Sequence, residues 1–324
     1  MVMNAKNMPD DELFFGHKAC AGCGGSLAVR AALKVLGPNA VAALPAGCMS
    51  AVGFNFPQLC FANNAMITPF AATAAVLTGI EAGLRAQGKK PDDCTVVGFA
   101  GDGGTADIGL QALSGAIDRN DDVLYICYDN EAYMNTGVQR SSATPPAART
   151  ATTQIAGSEP GNQWGQGKDV PLIAMAHGIP YVATATVADL RDLERKVEKA
   201  MSMHGARYIH IFVPCPLGWG TASGKTIEVA RLAQETGIFP VFEAEYGEVT
   251  SSYKIRRRQP VEAYLKLQKR FAHLFGKKGD PAVVARIQEL ADRNIEKFNL
   301  MAGDDGREVQ IPVAAQAEER SQQI

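Results

Sequence analysis

Apolar residues recur at helical spacing over residues 26–36 (SLAVRAALKVL), with Ser26 read as the N-cap and Gly37-Pro38 as the stop. The apolar run 41–44 suits a buried strand, and the Ala-rich stretch 71–86 reads as a helix ended by Gly88. The pattern then becomes regular. Residues 95–100 (TVVGFA) predict a strand, 101–104 a tight turn, 106–119 a helix, and 123–128 (VLYICY) a strand followed directly by Asp129-Asn130. The segment 138–168 is rich in Ser, Thr, Pro, Ala and Gly and has little periodicity; a loop of that length reads as a lid or a partner contact. Helix 171–177, strand 181–184, the charged amphipathic helix 188–203 and strand 208–213 follow. Residues 224–276 add a helix, a strand pair around 241–253 and a helix ending near Leu274, and a helix near 281–299 precedes a polar tail read as disordered. Strand and helix in this alternation predict an α/β fold with a doubly wound, mainly parallel sheet covered on both faces. The domain reading is an α/β unit over 1–275 and a helical extension with its tail over 276–324.

Composition narrows the function classes. The chain has 324 residues, 46% apolar and 20% charged, enough to bury a sizeable core. Its net charge of −2 argues against a nucleic-acid binder, which needs an excess of cations. Seven cysteines, an odd number, fit no secreted disulfide framework. The first twelve residues lack the apolar core of a signal peptide, so a soluble, cytoplasmic protein is expected. Between Lys34 and Glu81 lie 46 residues without Asp, Glu, Lys or Arg. Pro38, Pro45, Pro57 and Pro69 interrupt that stretch before the ~18 apolar residues of a membrane span accumulate. It reads as buried within the protein or against a partner chain.

Two strand ends carry candidate chemistry. In open α/β sheets, ligands bind at the carboxyl ends of strands near a switch in strand order. Gly101-Asp102-Gly103-Gly104 opens a helix after one strand, and Asp129-Asn130 follows the next. On neighbouring strands, the carboxylate of Asp102 and the amide oxygen of Asn130 converge on one hard cation such as Mg²⁺. The glycines let backbone N–H groups approach a diphosphate at the helix N-terminus. A Gly-Asp-Gly turn alone is ordinary turn chemistry, and the paired Asn is what lifts it above that.

Four cysteines are the second constellation. Cys20-Ala-Gly-Cys23 precedes the first helix, Cys48 stands in Ala-Gly-Cys-Met, and Cys215 lies between two prolines after a strand (VPCPLGW). A CxxC pair has three readings: a redox dithiol, half of a zinc site, or half of an iron–sulfur site. No strand precedes Cys20, which weighs against a thioredoxin-like motif, and zinc and iron–sulfur remain open.

The segments GDGGTADIG and YDNEAYMNTGVQRSSATP resemble the thiamine-diphosphate motif of the β subunit of 2-oxoacid:ferredoxin oxidoreductases, of which the pyruvate enzyme is best known. GHKACAGCG, PAGC and CPLGW resemble that family's cluster-ligand segments, and the likeness spans roughly residues 16–274. It implies the thiamine-diphosphate-binding type of doubly wound sheet and a cofactor site at Gly101, Asp102, Gly103, Gly104, Asn130, Ala132 and Asn135. It further implies Mg²⁺ held by Asp102, Asn130 and the carbonyl of Ala132, with Asn135, the candidate catalytic residue, close to the thiazolium ring. A loop amide satisfying local backbone is the plain alternative for Asn135. The implied ligands of a 4Fe-4S cluster are Cys20, Cys23, Cys48 and Cys215. Cys60, Cys94 and Cys127 match no ligand position, and Cys127 reads as a small core residue.

The resemblance also implies partners. The Glu that activates thiamine comes from an α subunit, so this chain alone is expected to be inactive. Further clusters sit on a ferredoxin-like δ subunit beside a γ subunit, or on a fusion of these; coenzyme A and ferredoxin are the expected co-substrates. His17, Trp164 and Trp219 read as structural or packing residues, with Trp219 a candidate shield for the cluster. Arg140 and Arg149 either face an anionic substrate or coenzyme A, or are solvated loop charges. One departure concerns the substrate: where pyruvate-type chains carry a His…Phe-Glu-Asn segment, this one has Ile67 and then Phe70-Ala71-Ala72. Pyruvate is the first expectation. Oxalate, or a non-redox thiamine-dependent decarboxylase with a zinc site, stands as the alternative.

Overall fold

The computed structural model describes residues 13–302 apart from 56, 164, 166 and 278, so the first twelve residues, Trp164 and the tail 303–324 lie outside the described residues. Its main sheet contains β1 (Val41–Pro45), β2 (Asn64–Thr68), β3 (Val96–Gly101), β4 (Leu124–Asp129), β5 (Tyr181–Thr186), β6 (Arg207–Phe212), β7 (Phe242–Glu245) and β8 (Glu248–Ser252). Their spatial order is β8-β7-β5-β6-β4-β3-β1-β2. Pairings from β2 across to β5 are all parallel, and only the β5–β7 and β7–β8 pairings are antiparallel.

The apolar runs predict this layering because both faces of the inner strands are covered. In β4, Leu124, Ile126 and Tyr128 join the core beneath helices Gly24–Leu36, Leu190–Met201 and Thr226–Glu235. Tyr125 and Cys127 point the other way, into the core beneath Thr73–Ala86, Leu110–Asp118 and Val170–Ala176. Period-two alternation with apolar residues on both faces is what a parallel sheet between helix layers demands.

Chain direction reverses at β1. The chain leaves β1 for β2 on one side and returns to β3 on the other, which makes the carboxyl ends of β1 and β3 the switch point of the sheet. Pro45-Ala46-Gly47-Cys48 and Gly101-Asp102 emerge there side by side.

Several local expectations change. The first helix begins at Gly24 and is capped by Cys23, whose sulfur accepts from the Ser26 N–H; Ser26 lies inside the helix. The expected tight turn at 101–104 is instead a π-helical turn, Gly103–Asp107, running into Leu110–Asp118. The helix expected to end near Leu274 is split into Val261–Leu265 and a 3₁₀ segment, Lys269–Leu274. The helix Pro281–Lys297 buries Val283, Ile287 and Ala291 in the same core as the sheet.

The segment 138–168 is not a free lid, because Ser141, Thr144, Ala147, Ala148 and Asn162 are buried against the strand ends. The charge-free stretch divides: β1 is interior, whereas Leu59 on a small hairpin and Met66 and Ile67 on edge strand β2 are exposed. Among the described residues, no helix is long and apolar enough to cross a membrane.

At Gly98 the helix Thr73–Ala86 lies close against β3, since a Cβ there would lie 2.7 Å from a Leu77 methyl and 3.2 Å from the Thr73 methyl. Gly98→Val should therefore cost about 1–3 kcal/mol by overpacking, read as a lower denaturation midpoint. An unchanged midpoint would contradict this helix–strand packing.

Candidate functional site

Asp102 follows β3 and Asn130 follows β4, and the pairing of the two strands brings the residues together. The Asn130 backbone N–H donates to Asp102 Oδ1 at 3.3 Å, and the Ser141 hydroxyl donates to Oδ2. Asp102 is 1% exposed. The two buried acids that flank Asn130 in sequence each have a basic partner: Asp129 meets His210 at 2.9 Å, and Glu131 meets Arg270. Among the described residues Asp102 has no such partner. Burial, reinforced by the negative charge of Asp129, therefore holds its carboxyl well above the usual carboxylate range.

The surroundings of Asn130 sharpen this. Its side-chain oxygen lies 3.1 Å from Asp102 Oδ1 and 3.0 Å from the carbonyl oxygen of Ala132, so three acceptors face one another. Turning the amide over would let its NH₂ donate to both at the same separations. A hard cation between them is the other way to satisfy three oxygens. In an octahedral shell with metal–oxygen distances of about 2.1 Å, adjacent ligand oxygens stand about 3.0 Å apart. Carboxylate, amide oxygen and carbonyl are also the donor types that such a cation selects.

A cleft opens over this point, lined by Gly47, Cys48, Phe70, Gly103, Gly104, Asn130, Ala132, Met134 and Asn135. Asn135 is exposed on the reverse turn closed by Tyr133 and Gln139. The Gly103 and Gly104 backbone forms the floor. At Gly103 a Cβ would lie 2.8 Å from the Tyr133 ring, so a side chain here would displace the loop that carries the other ligands.

The four sequence-singled cysteines emerge at the same end of the sheet. Cys23 and Cys215 each cap a helix, their sulfurs accepting from the N–H groups of Ser26 (3.5 Å) and Gly218 (3.4 Å), and Cys48 begins a third helix. The Gly24 N–H donates to the Pro214 carbonyl at 3.2 Å, which fastens the CxxC turn to the segment after β6. Burial raises the Cys48 thiol to about 12, with further increments from Cys215, Cys23, Asp102 and Cys20. Burial likewise raises Cys215 to about 11; the Gly218 N–H opposes this, while Cys23 and Cys20 add to it. Cys48 and Cys215, whose ionisation burial and the neighbouring cysteines oppose, belong to a site that a cationic centre would stabilise. Among the described residues, no three His, Cys, Asp or Glu side chains converge on one metal-sized point.

Tyr128 stands between the two constellations. A Cβ at Gly101 or Gly47 would contact its ring or hydroxyl on one side, and a Cβ at Gly25, beside Cys23, would contact it on the other. Trp219 is more than a packing residue: its indole N–H donates to the Asn130 carbonyl at 2.9 Å. His17 stacks on Phe14 at 4.9 Å and accepts from the Ala19 N–H, a structural role. Cys127 and Cys60 are buried, the latter bonded to the Val52 carbonyl. Arg149 is exposed and Arg140 half-buried.

Ser141, Glu131 and Arg270 were not singled out from the sequence. Ser141 and Glu131 lie inside the motif run, Glu131 between the candidate ligands Asn130 and Ala132 and Ser141 beyond Asn135, and that placement is the available signal. Arg270 lies 139 residues from its partner Glu131, and nothing in its local sequence marks it.

Residues 45–211 match the family described as thiamine pyrophosphate enzyme, C-terminal TPP binding domain, and that segment runs from the end of β1 through β2 to β5 and most of β6, with both strand-end motifs. The fold is thus that of the TPP-binding domain of thiamine pyrophosphate enzymes. Pyruvate synthase subunit PorB of Methanothermobacter thermautotrophicus is 48% identical over 294 residues, covering 90% of this chain and 99% of the relative. Ketoisovalerate oxidoreductase subunit VorB of Pyrococcus horikoshii is 48% identical over 283 residues, covering 84% and 89%. Among solved structures, 2-oxoglutarate:ferredoxin oxidoreductase from Magnetococcus marinus superposes with a TM-score of 0.55 at 23% identity, over 70% of this chain and 81% of that one, a likeness of fold. The chain belongs to the family of 2-oxoacid:ferredoxin oxidoreductase β subunits of the pyruvate synthase type.

Proposed function

We propose that this chain is the thiamine-diphosphate- and cluster-bearing β subunit of a cytoplasmic complex that oxidatively decarboxylates pyruvate with coenzyme A and passes the electrons to ferredoxin. The observation that carries the reading is the convergence of Asp102, Asn130 and the Ala132 carbonyl on one point, beside four cysteines at the same sheet edge. Thiamine diphosphate, when bound, supplies the thiazolium that attacks the keto carbon and takes up the electron pair as CO₂ leaves. Asp102, Asn130 and Ala132 hold the Mg²⁺ that anchors the diphosphate, and the first turn at Gly103 and Gly104 offers it backbone N–H groups. Asn135, on the exposed turn over the cleft, orients the substrate end. Cys20, Cys23, Cys48 and Cys215 hold a 4Fe-4S cluster, which takes electrons one at a time.

The geometry favours a cluster over zinc. Each thiolate of a cluster binds its own iron, so the sulfurs need not meet at one point as zinc requires. The activating Glu comes from an α subunit, whose docking also covers the exposed apolar edge at Met66 and Ile67. γ and ferredoxin-like δ subunits, or a fusion of these, carry the outward relay. A second substrate reading, 2-oxoisovalerate, is supported by the equal identity to PorB and VorB. Oxalate finds no support in the relatives described above.

The test is a substrate panel on the anaerobically purified complex. Pyruvate should reduce a low-potential dye with the highest kcat/KM, in a reaction dependent on thiamine diphosphate and coenzyme A. Cys215→Ser should remove one cluster's share of iron and sulfide. Zinc in place of iron, with CO₂ released and no dye reduced, would make the chain a non-redox decarboxylase subunit.

A pH dependence follows from Asp102. Its carboxyl is held well above its usual range by burial and by Asp129, so the cation-free site keeps its proton to a higher pH than an ordinary carboxylate. Cation binding competes with that proton, and the apparent Mg²⁺ affinity should rise with pH, at higher pH than for an ordinary carboxylate ligand. Calorimetry in buffers of different ionisation enthalpy should register proton release. Affinity independent of pH, with no proton released, would contradict Asp102 as the ligand.

A further inference from the structure

This inference rests on the cation site proposed above and concerns what holds its geometry. Asn130 and Ala132 flank Glu131, which has φ +61°. A residue with a Cβ keeps that left-handed conformation only where its surroundings fix it. The chain reversal at Glu131 is what sets the Asn130 amide oxygen 3.0 Å from the Ala132 carbonyl.

Three contacts fix the reversal. The Glu131 N–H donates to Asp129 Oδ1 at 2.8 Å, the Glu131 carbonyl accepts from the Thr144 hydroxyl at 2.7 Å, and the Glu131 carboxylate forms a buried ion pair with Arg270. Arg270 is itself 4% exposed and held from behind, its Nε donating to Gln268 Oε1 at 2.9 Å. Its guanidinium lies 3.9 Å from the centre of the Trp219 ring. Trp219 ends the short helix that Cys215 caps, and its indole N–H bonds the Asn130 carbonyl. One buried cation thus touches both the loop between the two cation ligands and the segment of the fourth cysteine.

We propose that Arg270 is a positioning residue: through Glu131 it holds 130–132 in the cation-binding conformation, and through Trp219 it keys that loop to the Cys215 segment. A purely stabilising role would lower the yield or melting point of variants without a selective effect on cation affinity. Glycine separates the two roles, because it adopts φ near +60° unaided and makes the ion pair unnecessary for the loop.

The experiment titrates Mn²⁺ into the purified complex with thiamine diphosphate present, following free Mn²⁺ by EPR. Arg270→Met should weaken binding by at least ~tenfold, the scale of lost support behind a metal ligand. Glu131→Gly combined with Arg270→Met leaves no unpaired buried charge and should recover affinity to within about threefold of wild type. Arg270→Gln, with and without Glu131→Gly, carries the same comparison if the methionine variant does not assemble. Wild-type affinity in the single variant, or a double variant as weak as the single one, would overturn the proposal. A wild-type complex that binds no Mn²⁺ would overturn the cation site itself, and this inference with it.

Discussion

A carboxylate buried at the switch point of a parallel sheet, with acids on either side already paired, sets the terms for the rest of this structure. Asp102 lies where β1 and β3 diverge, in surroundings that penalise charge, with a serine hydroxyl and a backbone N–H as its direct donors. Asp129 uses His210 and Glu131 uses Arg270, so neither imidazole nor guanidinium is left over for it. An isolated buried carboxylate is costly unless it takes up a proton or a cation. The Asn130 amide and Ala132 carbonyl turn the same point into an oxygen-lined pocket, in which, on the proposed reading, a divalent ion would balance what the chain does not.

The second constellation shares that edge for a topological reason. Parallel strands present their carboxyl ends together, so loops after β1, β3, β4 and β6 gather on one side. Cys48 follows β1, Asp102 follows β3, Asn130 follows β4 and Cys215 follows β6. The CxxC turn is tied in by the Gly24–Pro214 hydrogen bond, and Tyr128 and Trp219 fill the space between the groups. Within the family to which the chain belongs, this proximity makes physical sense, since a carbon centre that loses two electrons needs a one-electron acceptor close at hand.

The sheet and most of its helices were legible because the inner strands are apolar on both faces, and β3 and β4 end in Gly101 and Asp129. Asp102 and Asn130 were legible as a pair because each directly follows an apolar run. The π-helical turn at Gly103–Asp107 was not, since it depends on Tyr133 and Phe70 closing over the glycines from distant parts of the chain. Ser26 read as the cap on the first helix because sulfur is an uncommon capping acceptor, and Cys23 read only as a redox thiol or a ligand. The wall formed by Ser141 and Thr144 read as a lid or a partner contact because its order comes from side-chain bonds to Asp102 and Glu131, which leave no periodic trace. Arg270 was invisible for the same reason, as its partners are set by tertiary contact alone.

The most direct measurement is an anomalous-difference map from crystals of the assembled complex grown with Mn²⁺ and thiamine diphosphate. The account predicts a manganese peak within coordination distance of Asp102, the Asn130 side-chain oxygen and the Ala132 carbonyl. Density showing the Asn130 amide turned over and bonded to Asp102 and Ala132, with manganese bound elsewhere, would contradict it.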